Sequence, residues 1–322
     1  MSADVLSDVL QAVRLTGAVY FDFELTSPWV AEAPPSSEIA AAVMPGAERV
    51  IEYHVIARGA CWAQAIGGTP IRLQEGDVVM FPQGDPHVLS SAPGMRATPN
   101  LQMYARGSTP LPLFFEAGGG GAQGVRLICC FFGCDERPFN PLLESLPASL
   151  HVPAPAASGS GGWTTALLQA AVTESRHARP GSQNVLARLS ELMFVETVRR
   201  HLESLPAGRT GWLAGLRDPL VGQALTALHA APAEHWTVER LAREVGASRS
   251  VLAERFTALV GHPPMQYLTQ WRMQVASRAL IEGRSVAAAA AVAGYDSEPA
   301  FSRAFKKVLG QAPGSWRRSS AR

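Results

Sequence analysis

The sequence predicts a multidomain α+β protein: an all-β N-terminal module of sandwich or barrel type, a helical connector, and an all-α C-terminal domain with two helix-turn-helix units. Three observations carry that reading. Up to about residue 135, short runs rich in β-branched and aromatic residues are broken by Gly and Pro. Beyond residue 162 the apolar spacing changes to three and four, the period of a helix. Between residues 237 and 313 one helical pattern occurs twice. The expected boundaries are 1–152, 153–215 and 216–322.

In chain order, residues 3–14 read as an amphipathic helix (Val5, Leu6, Val9, Leu10, Val13) that leads into the strand-like AVYFDFEL. Strands follow in MPGAERVIEYHVIARG, ACWAQAIGG, IRLQEGDVVMFPQGDPHVL and GVRLICCFF, with EAGGGGAQG as a hairpin tip. In the strand around Glu52, alternation makes Ile51, Tyr53 and Val55 the core-facing set. The Pro, Ala, Gly and Ser stretch VPAPAASGSGG, residues 152–162, marks a boundary. After it, ARLSELMFVETVRRHLE places Leu189, Leu192, Met193 and Leu202 near one stripe, a core contact or the seam of a homodimer.

Composition narrows the function. The chain has 322 residues, 47% apolar and 17% charged, which is globular and long enough for two cores. No apolar run approaches the ~20 residues that span a bilayer, and Asp4 and Asp8 stand where a secretion signal carries positive charge. A cytoplasmic protein with no membrane partner is expected. Four clustered cysteines are too few for a disulfide scaffold and should be free thiols. The net charge of +1 hides a polarity: residues 216–322 carry 14 Lys and Arg against 8 Asp and Glu, and residues 1–215 carry 14 against 19. The basic end suits a polyanion.

The repeat sharpens this. TVERLAREVGASRSVLAERFTALVGHPP (237–264) matches SVAAAAAVAGYDSEPAFSRAFKKVLGQAP (285–313). Val238 and Gly246 correspond to Val286 and Gly294, Leu252 and Phe256 to Phe301 and Phe305, and Gly261 and Pro264 to Gly310 and Pro313. Each copy is a helix, a turn at glycine, and a second helix packed back through apolar residues four apart, with a polar outer face sized for the major groove. Two copies are fewer than a solenoid needs.

The doubled motif, GYDSEPAFSRAF, the closing APGSWR and the intervening GHPPMQYLTQWRM resemble the AraC/XylS transcription regulators over residues 216–318. That resemblance implies helices near 249–259 and 298–308 entering successive major grooves, joined by a helix at about 265–282. It implies Ser297, Glu298, Ser302 and Arg303 towards bases or adjacent phosphates, and Lys306 and Lys307 near the backbone. In the first copy the exposed positions are Arg249, Ser250, Ala253 and Glu254. Many members carry Arg where this chain has Glu254, and a carboxylate accepts from cytosine but cannot read guanine. Arg255 is either a phosphate contact or a helix-surface salt bridge. The expected partners are double-stranded promoter DNA, RNA polymerase and a second copy of the chain.

The β-module fits a second pattern. GDVVMFPQGDPH has the Gly76, Pro82, Gly84, His87 spacing of a cupin motif, and Glu52 precedes Gly59 as in the other cupin motif. FDFELTSPW and LESLPASL resemble the cupin-type sensor half of one AraC subfamily. Cupin enzymes hold a metal with an HxH, a Glu and a last His; here residues 45–48 read PGAE, so the HxH is missing. Glu52, His54 and His87 remain a three-ligand candidate for a transition metal such as zinc, or make ordinary hydrogen bonds. Cys61, Cys129 and Cys130 are candidates for oxidant or effector sensing, or small buried hydrophobes, with Cys129 facing inward. A regulator sensing a small molecule, metal or oxidant is therefore expected. A cupin metalloenzyme with a helical appendage and a pure scaffold are the rivals.

Overall fold

The computed structural model describes residues 4–13, 15–105, 109, 111–154, 162–176, 179–206 and 208–320. In chain order the elements begin with α1 (Val5–Ala12), β1 (Thr16–Thr26), β2 (Val30–Ala33), α2 (Ser36–Val43), β3 (Arg49–Arg58), β4 (Ala60–Ala65), β5 (Ile71–Gln74), β6 (Val78–Phe81) and β7 (His87–Ser90). There follow β8 (Leu113–Gly118), β9 (Gly124–Cys134), α3 (Pro141–Ser145), β10 (Leu150–Val152), α4 (Gly162–Arg176) and α5 (Ser182–Ser204). The remainder is helical: α6 (Trp212–Arg217), α7 (Pro219–Ala230), α8 (Val238–Glu244), α9 (Arg249–Val260), α10 (Pro264–Ile281), α11 (Val286–Val292), α12 (Glu298–Leu309) and α13 (Pro313–Ser320).

These elements form two compact units, Leu15–Cys134 with Leu146–Glu203, and Met1–Arg14 with Asp135–Ser145 and Ser204–Arg322. The partition differs from boundaries at 152 and 215. Helix α1 goes with the helical unit, because its buried Val5 and Val9 pack there and Gln274 donates to the Ala12 carbonyl at 2.8 Å. Helices α4 and α5 are not a free connector but cover the sheet unit. The composition break at 152–162 falls mostly on residues 155–161, outside the described residues.

The sheet unit pairs a six-stranded sheet, order β10-β6-β3-β9-β1-β8, with a four-stranded sheet, order β2-β7-β4-β5. One face of the larger sheet looks towards the smaller sheet, around Tyr20, Phe21, Ile56, Phe81, Leu127 and Phe131. The other face lies under α4 and α5. Phe132 meets Phe194 with ring centroids 4.9 Å apart, the Tyr53 hydroxyl lies 3.2 Å from Thr197 Oγ1, and a Cβ on Gly17 would come within 2.4 Å of Ser190 Oγ. Beside them, Arg126 forks onto both oxygens of Asp22 (2.9 and 2.5 Å), and Ser175 of α4 donates to the same carboxylate at 2.8 Å. The buried stripe of α5 is therefore Leu186, Ser190, Met193, Phe194, Thr197 and Val198. Of the expected stripe only Met193 belongs to it; Leu189 and Leu202 are half-buried and Leu192 is 45% exposed. The glycine-rich segment after β8 is not a hairpin tip: β8 pairs parallel with β1, and β9 lies on the other side of β1, so the chain crosses over. Gly118 makes that possible, since a Cβ there would lie 1.9 Å from the Thr26 carbonyl oxygen.

In the helical unit each repeat uses the same punctuation. Thr237 and Ser285 cap α8 and α11, and Ser248 and Ser297 cap α9 and α12, each side chain accepting from the backbone N–H three residues on. Gly261 and Gly310 end α9 and α12 with φ of 85° and 76°, the left-handed stop that glycine adopts without strain. Leu252 and Phe256 in one copy and Phe301 and Phe305 in the other are fully buried, which fixes which face each helix turns outward.

A buried relay lies where α1 meets α7 and α10. Trp212 Nε1–H donates to Tyr267 Oη at 2.9 Å, so the Tyr267 hydroxyl is free to donate to His229 Nε2 at 2.8 Å. His229 then carries its proton on Nδ1, 3.7 Å from the Asp8 carboxylate, with its ring stacked on Trp271 at 4.1 Å. Burial pushes His229 down to about 3. The folded state keeps it neutral while the unfolded chain takes a proton near the ordinary value of ~6.5, so its contribution to stability is lost as pH falls from there towards 3. His229→Phe should flatten the fall of the thermal midpoint over that window; an unchanged slope would show that His229 does not set it.

Candidate effector cavity and nucleic-acid interface

The interior of the sheet unit holds a cavity of about 260 Å³. Its walls are mainly apolar, among them Phe21, Phe23, Trp29, Leu89 and Met103, with Tyr104 at one side. Its floor is polar. Glu52 and His54 project inward from β3 and His87 comes from β7 of the facing sheet, all three at most 4% exposed. The expected core-facing set Ile51, Tyr53 and Val55 is therefore the opposite face, the one beneath the helices. Alternation gave the wrong side because both faces of β3 are buried, so the apolar set need not point between the sheets.

The floor has one consistent proton arrangement. The Asp85 carbonyl can only accept, so His87 donates from Nδ1 at 3.0 Å and its Nε2 is a lone pair. His54 must then donate Nε2–H to His87 Nε2 at 2.7 Å, which leaves His54 Nδ1 to accept from the Cys129 thiol at 3.0 Å. Phe81 stacks on His87 with centroids 3.7 Å apart. Burial raises Glu52 to about 8 and lowers His87 to about 4; burial, then the neighbouring His87, holds His54 well below its ordinary value. At neutral pH the floor is polar and uncharged. Among the described residues Glu52 Oε1 has no hydrogen-bond partner, and Oε2 lies 3.8 Å from His87 Nε2.

The three side chains meet the donor requirement of a transition-metal site, with ligand atoms within 4.8 Å of one another. The His54 to His87 separation of 2.7 Å is a hydrogen bond, shorter than the about 3.4 Å between two nitrogens on a tetrahedral ion with ~2.1 Å bonds. A metal would have to part the rings and move the His54 proton to Nδ1. The cysteines suit sensing less well than their clustering suggested. All four are buried thiols outside any disulfide; burial pushes the Cys61 thiol up to about 12 and holds Cys129 and Cys130 above the thiol range. None is both accessible and ionised. Cys129 does face inward, as its register indicated.

On the helical unit, α9 and α12 present the residues singled out in the repeats. Arg249, Ser250, Glu254, Arg255, Glu298, Arg303, Lys306 and Lys307 are exposed, and Ser302 is half-buried. Four are already engaged within the unit, Ser250 through a hydroxyl 3.3 Å from that of Ser248. The Ser297 side chain caps α12, Arg249 pairs with Glu239 at 2.6 Å, and Arg255 holds Asp218 at 2.8 and 2.6 Å, which makes it the helix-surface salt bridge rather than a free phosphate ligand. Asp218 also caps α7, so that pair ties α9 to α7. Glu298 sits in the first turn of α12, where its charge favours the helix dipole. Arg303, Lys306 and Lys307 have no ion pair among the described residues.

A two-sheet module with an interior cavity, followed by two capped helix-turn-helix units, defines a DNA-binding regulator. A family model described as a cupin matches residues 4–203, and one described as a helix-turn-helix domain matches residues 241–319. A putative AraC-like transcription regulator of Streptomyces lividans is 38% identical over 275 residues, 84% of this chain and 88% of that protein. The HTH-type transcriptional regulator AlkR of Acinetobacter baylyi is 28% identical over 320 residues, 98% of this chain and the whole of that one. The solved DNA-binding domain of AdpA, in complex with a target DNA, is 34% identical, covers 32% of this chain and 92% of that chain, and has a TM-score of 0.29. The chain belongs to the family of AraC-like transcription regulators with a cupin N-terminal domain. It is a DNA-binding regulator and not an enzyme, which sets aside the metalloenzyme reading.

Two substitutions should separate base reading from charge. Arg303→Ala should weaken a specific site by ~1–3 kcal/mol if the guanidinium bridges a base edge. Lys306→Ala with Lys307→Ala should weaken all sequences alike and lower the salt slope by up to about 2. Filter binding across a salt series reads both; an unchanged slope would remove the two lysines from the interface.

Proposed function

We propose that this protein is a sequence-specific regulator whose sheet unit binds a small, largely apolar molecule in its cavity and whose helical unit binds promoter DNA through α9 and α12. The observation that carries the sensing half is the cavity itself: apolar walls over a floor of uncharged groups, with Glu52 Oε1 unpartnered inside it. A protonated Glu52 offers an O–H donor, while the Nε2–H of His54 is already given to His87, so the floor suits a ligand with an acceptor oxygen at one end of an apolar body. A transition metal held by Glu52, His54 and His87 is the second reading, favoured by the convergence of those donors. The oxidant reading has only the inward Cys129 to support it.

The reading extends to assembly. Val185 and Leu192, each 45% exposed, lie seven residues apart on α5 with half-buried Leu189 between them, a stripe suited to a second copy of the chain. A homodimer working with RNA polymerase in the cytoplasm is the arrangement proposed. Residues 1–152 would carry sensing, 153–215 assembly and 216–322 DNA binding, with α1 joined to the last of these.

The full chain, purified without added metal and then denatured, should release an organic molecule by mass spectrometry, with metal well below one equivalent. Stoichiometric metal that disappears in His87→Ala would instead establish the metal reading. Neither in the wild type, with no thermal shift from any apolar compound, would count against sensing in this cavity. Separately, Leu192→Glu should give a monomer with unchanged circular dichroism in sedimentation analysis; a dimer of unchanged stability would move assembly elsewhere.

A further inference from the structure

The two recognition helices carry opposite charges at the same place. The repeat sets Leu252 and Phe256 against Phe301 and Phe305, so the residue two after the first anchor is Glu254 in α9 and Arg303 in α12. At about 100° per residue, each lies roughly 200° round its helix from that anchor, the centre of the outward face. Both are exposed, and neither has an ion pair among the described residues. The arginines of α9 do not neutralise its outward face, since Arg249 is drawn to Glu239 on one flank and Arg255 to Asp218 on the other. Ser250, one turn before Glu254, shares that outward face, and Ala253 beside it is too small to screen the carboxylate.

We propose that Glu254 is the specificity-determining residue of the first helix-turn-helix and reads the N4 amino group of a cytosine, while Arg303 at the equivalent place reads a guanine. An ionised carboxylate only accepts and a guanidinium only donates, so the pseudo-symmetric readers demand complementary base edges. Cytosine fits Glu254 better than adenine. Both offer an amino group in the major groove, but adenine sets its N7 acceptor beside N6 and repels the second carboxylate oxygen. Glu254 also faces phosphates unfavourably, so the first unit adds discrimination without attraction, while the second reads through Arg303 and attracts through Lys306 and Lys307. This inference rests on the reading that both helices enter DNA.

The test is selection of the full chain, at one fixed salt concentration, on randomised duplex DNA, comparing wild type with Glu254→Ala, Glu254→Gln and Arg303→Ala. Glu254 is exposed, so these chains should fold, and circular dichroism checks that they do. The wild type should select a cytosine in one segment by on the order of 10- to 100-fold over other bases. Glu254→Ala should erase that preference and bind random DNA several-fold more tightly. Glu254→Gln, whose amide can pair with both N6 and N7, should move the preference to adenine. Arg303→Ala should lose a guanine in the other segment and keep the cytosine. Glu254 variants with the wild-type preference at every position would overturn the inference while Arg303→Ala still shifts. A wild-type protein that selects only one segment would overturn the two-helix reading beneath it.

Discussion

Burial of the larger sheet on both faces is the constraint on which the sheet unit depends. Helix α5 covers one side through Phe194, Thr197 and Ser190 and α4 through Ser175, and the smaller sheet covers the other. A strand between two covers is buried on both sides, so its apolar set need not be the one that faces the other sheet. β3 presents Ile51, Tyr53 and Val55 to the helices and places Glu52 and His54 between the sheets. The buried Arg126 to Asp22 pair belongs to the same helix-side layer, where Ser175 supplies the remaining hydrogen bond. Removing one member of such a buried, bonded set costs about 3–5 kcal/mol, because the other charge is left without compensation.

That constraint also separates what was legible in the sequence from what was not. Strand positions and the Gly76, Pro82, Gly84 and His87 motif were legible, since turn chemistry is local. The inward side of β3 was not, because alternation distinguishes core from solvent and neither side of β3 is solvent. Cys129 was placed correctly because Arg126, three residues before it, marks the other face by its charge. The true stripe of α5 was missed for a related reason: Ser190 and Thr197, small and polar, sit in it where backbone approach is close, while the larger Leu189 and Leu192 look outward. Residue size misled where space was limiting.

The helical unit was more readable. Its two copies repeat their caps, turns and anchors in register, and each signal agrees with the others, so local rules alone fix the helices. What the sequence could not give was the company its charges keep. Asp218 lies 37 positions from Arg255, and nothing local announces that they pair. Nor does spacing show that α1, which precedes the first strand, packs with α7 and α10, since its partner Gln274 lies 262 positions from Ala12.

Net charge is for that reason a coarse guide to how this unit meets a polyanion. The C-terminal excess of +6 counts every arginine equally. In the structure Arg240, Arg249, Arg255 and Arg278 each face a carboxylate within 3.0 Å, and those on α8 and α9 contribute little net potential to the surface they decorate. Among the described residues, the exposed cations without a carboxylate partner include Arg303, Lys306 and Lys307 on α12, within a span of five residues, with Arg243 on α8 and Arg317 and Arg318 on α13. An excess spread evenly would attract DNA to any face of the unit; one weighted towards α12 favours the face that this helix presents. The same sequence repeat has thus diverged in electrostatics while keeping its anchors, because Leu252, Phe256, Phe301 and Phe305 determine the fold of each copy, and the outward residues are free to differ without changing it.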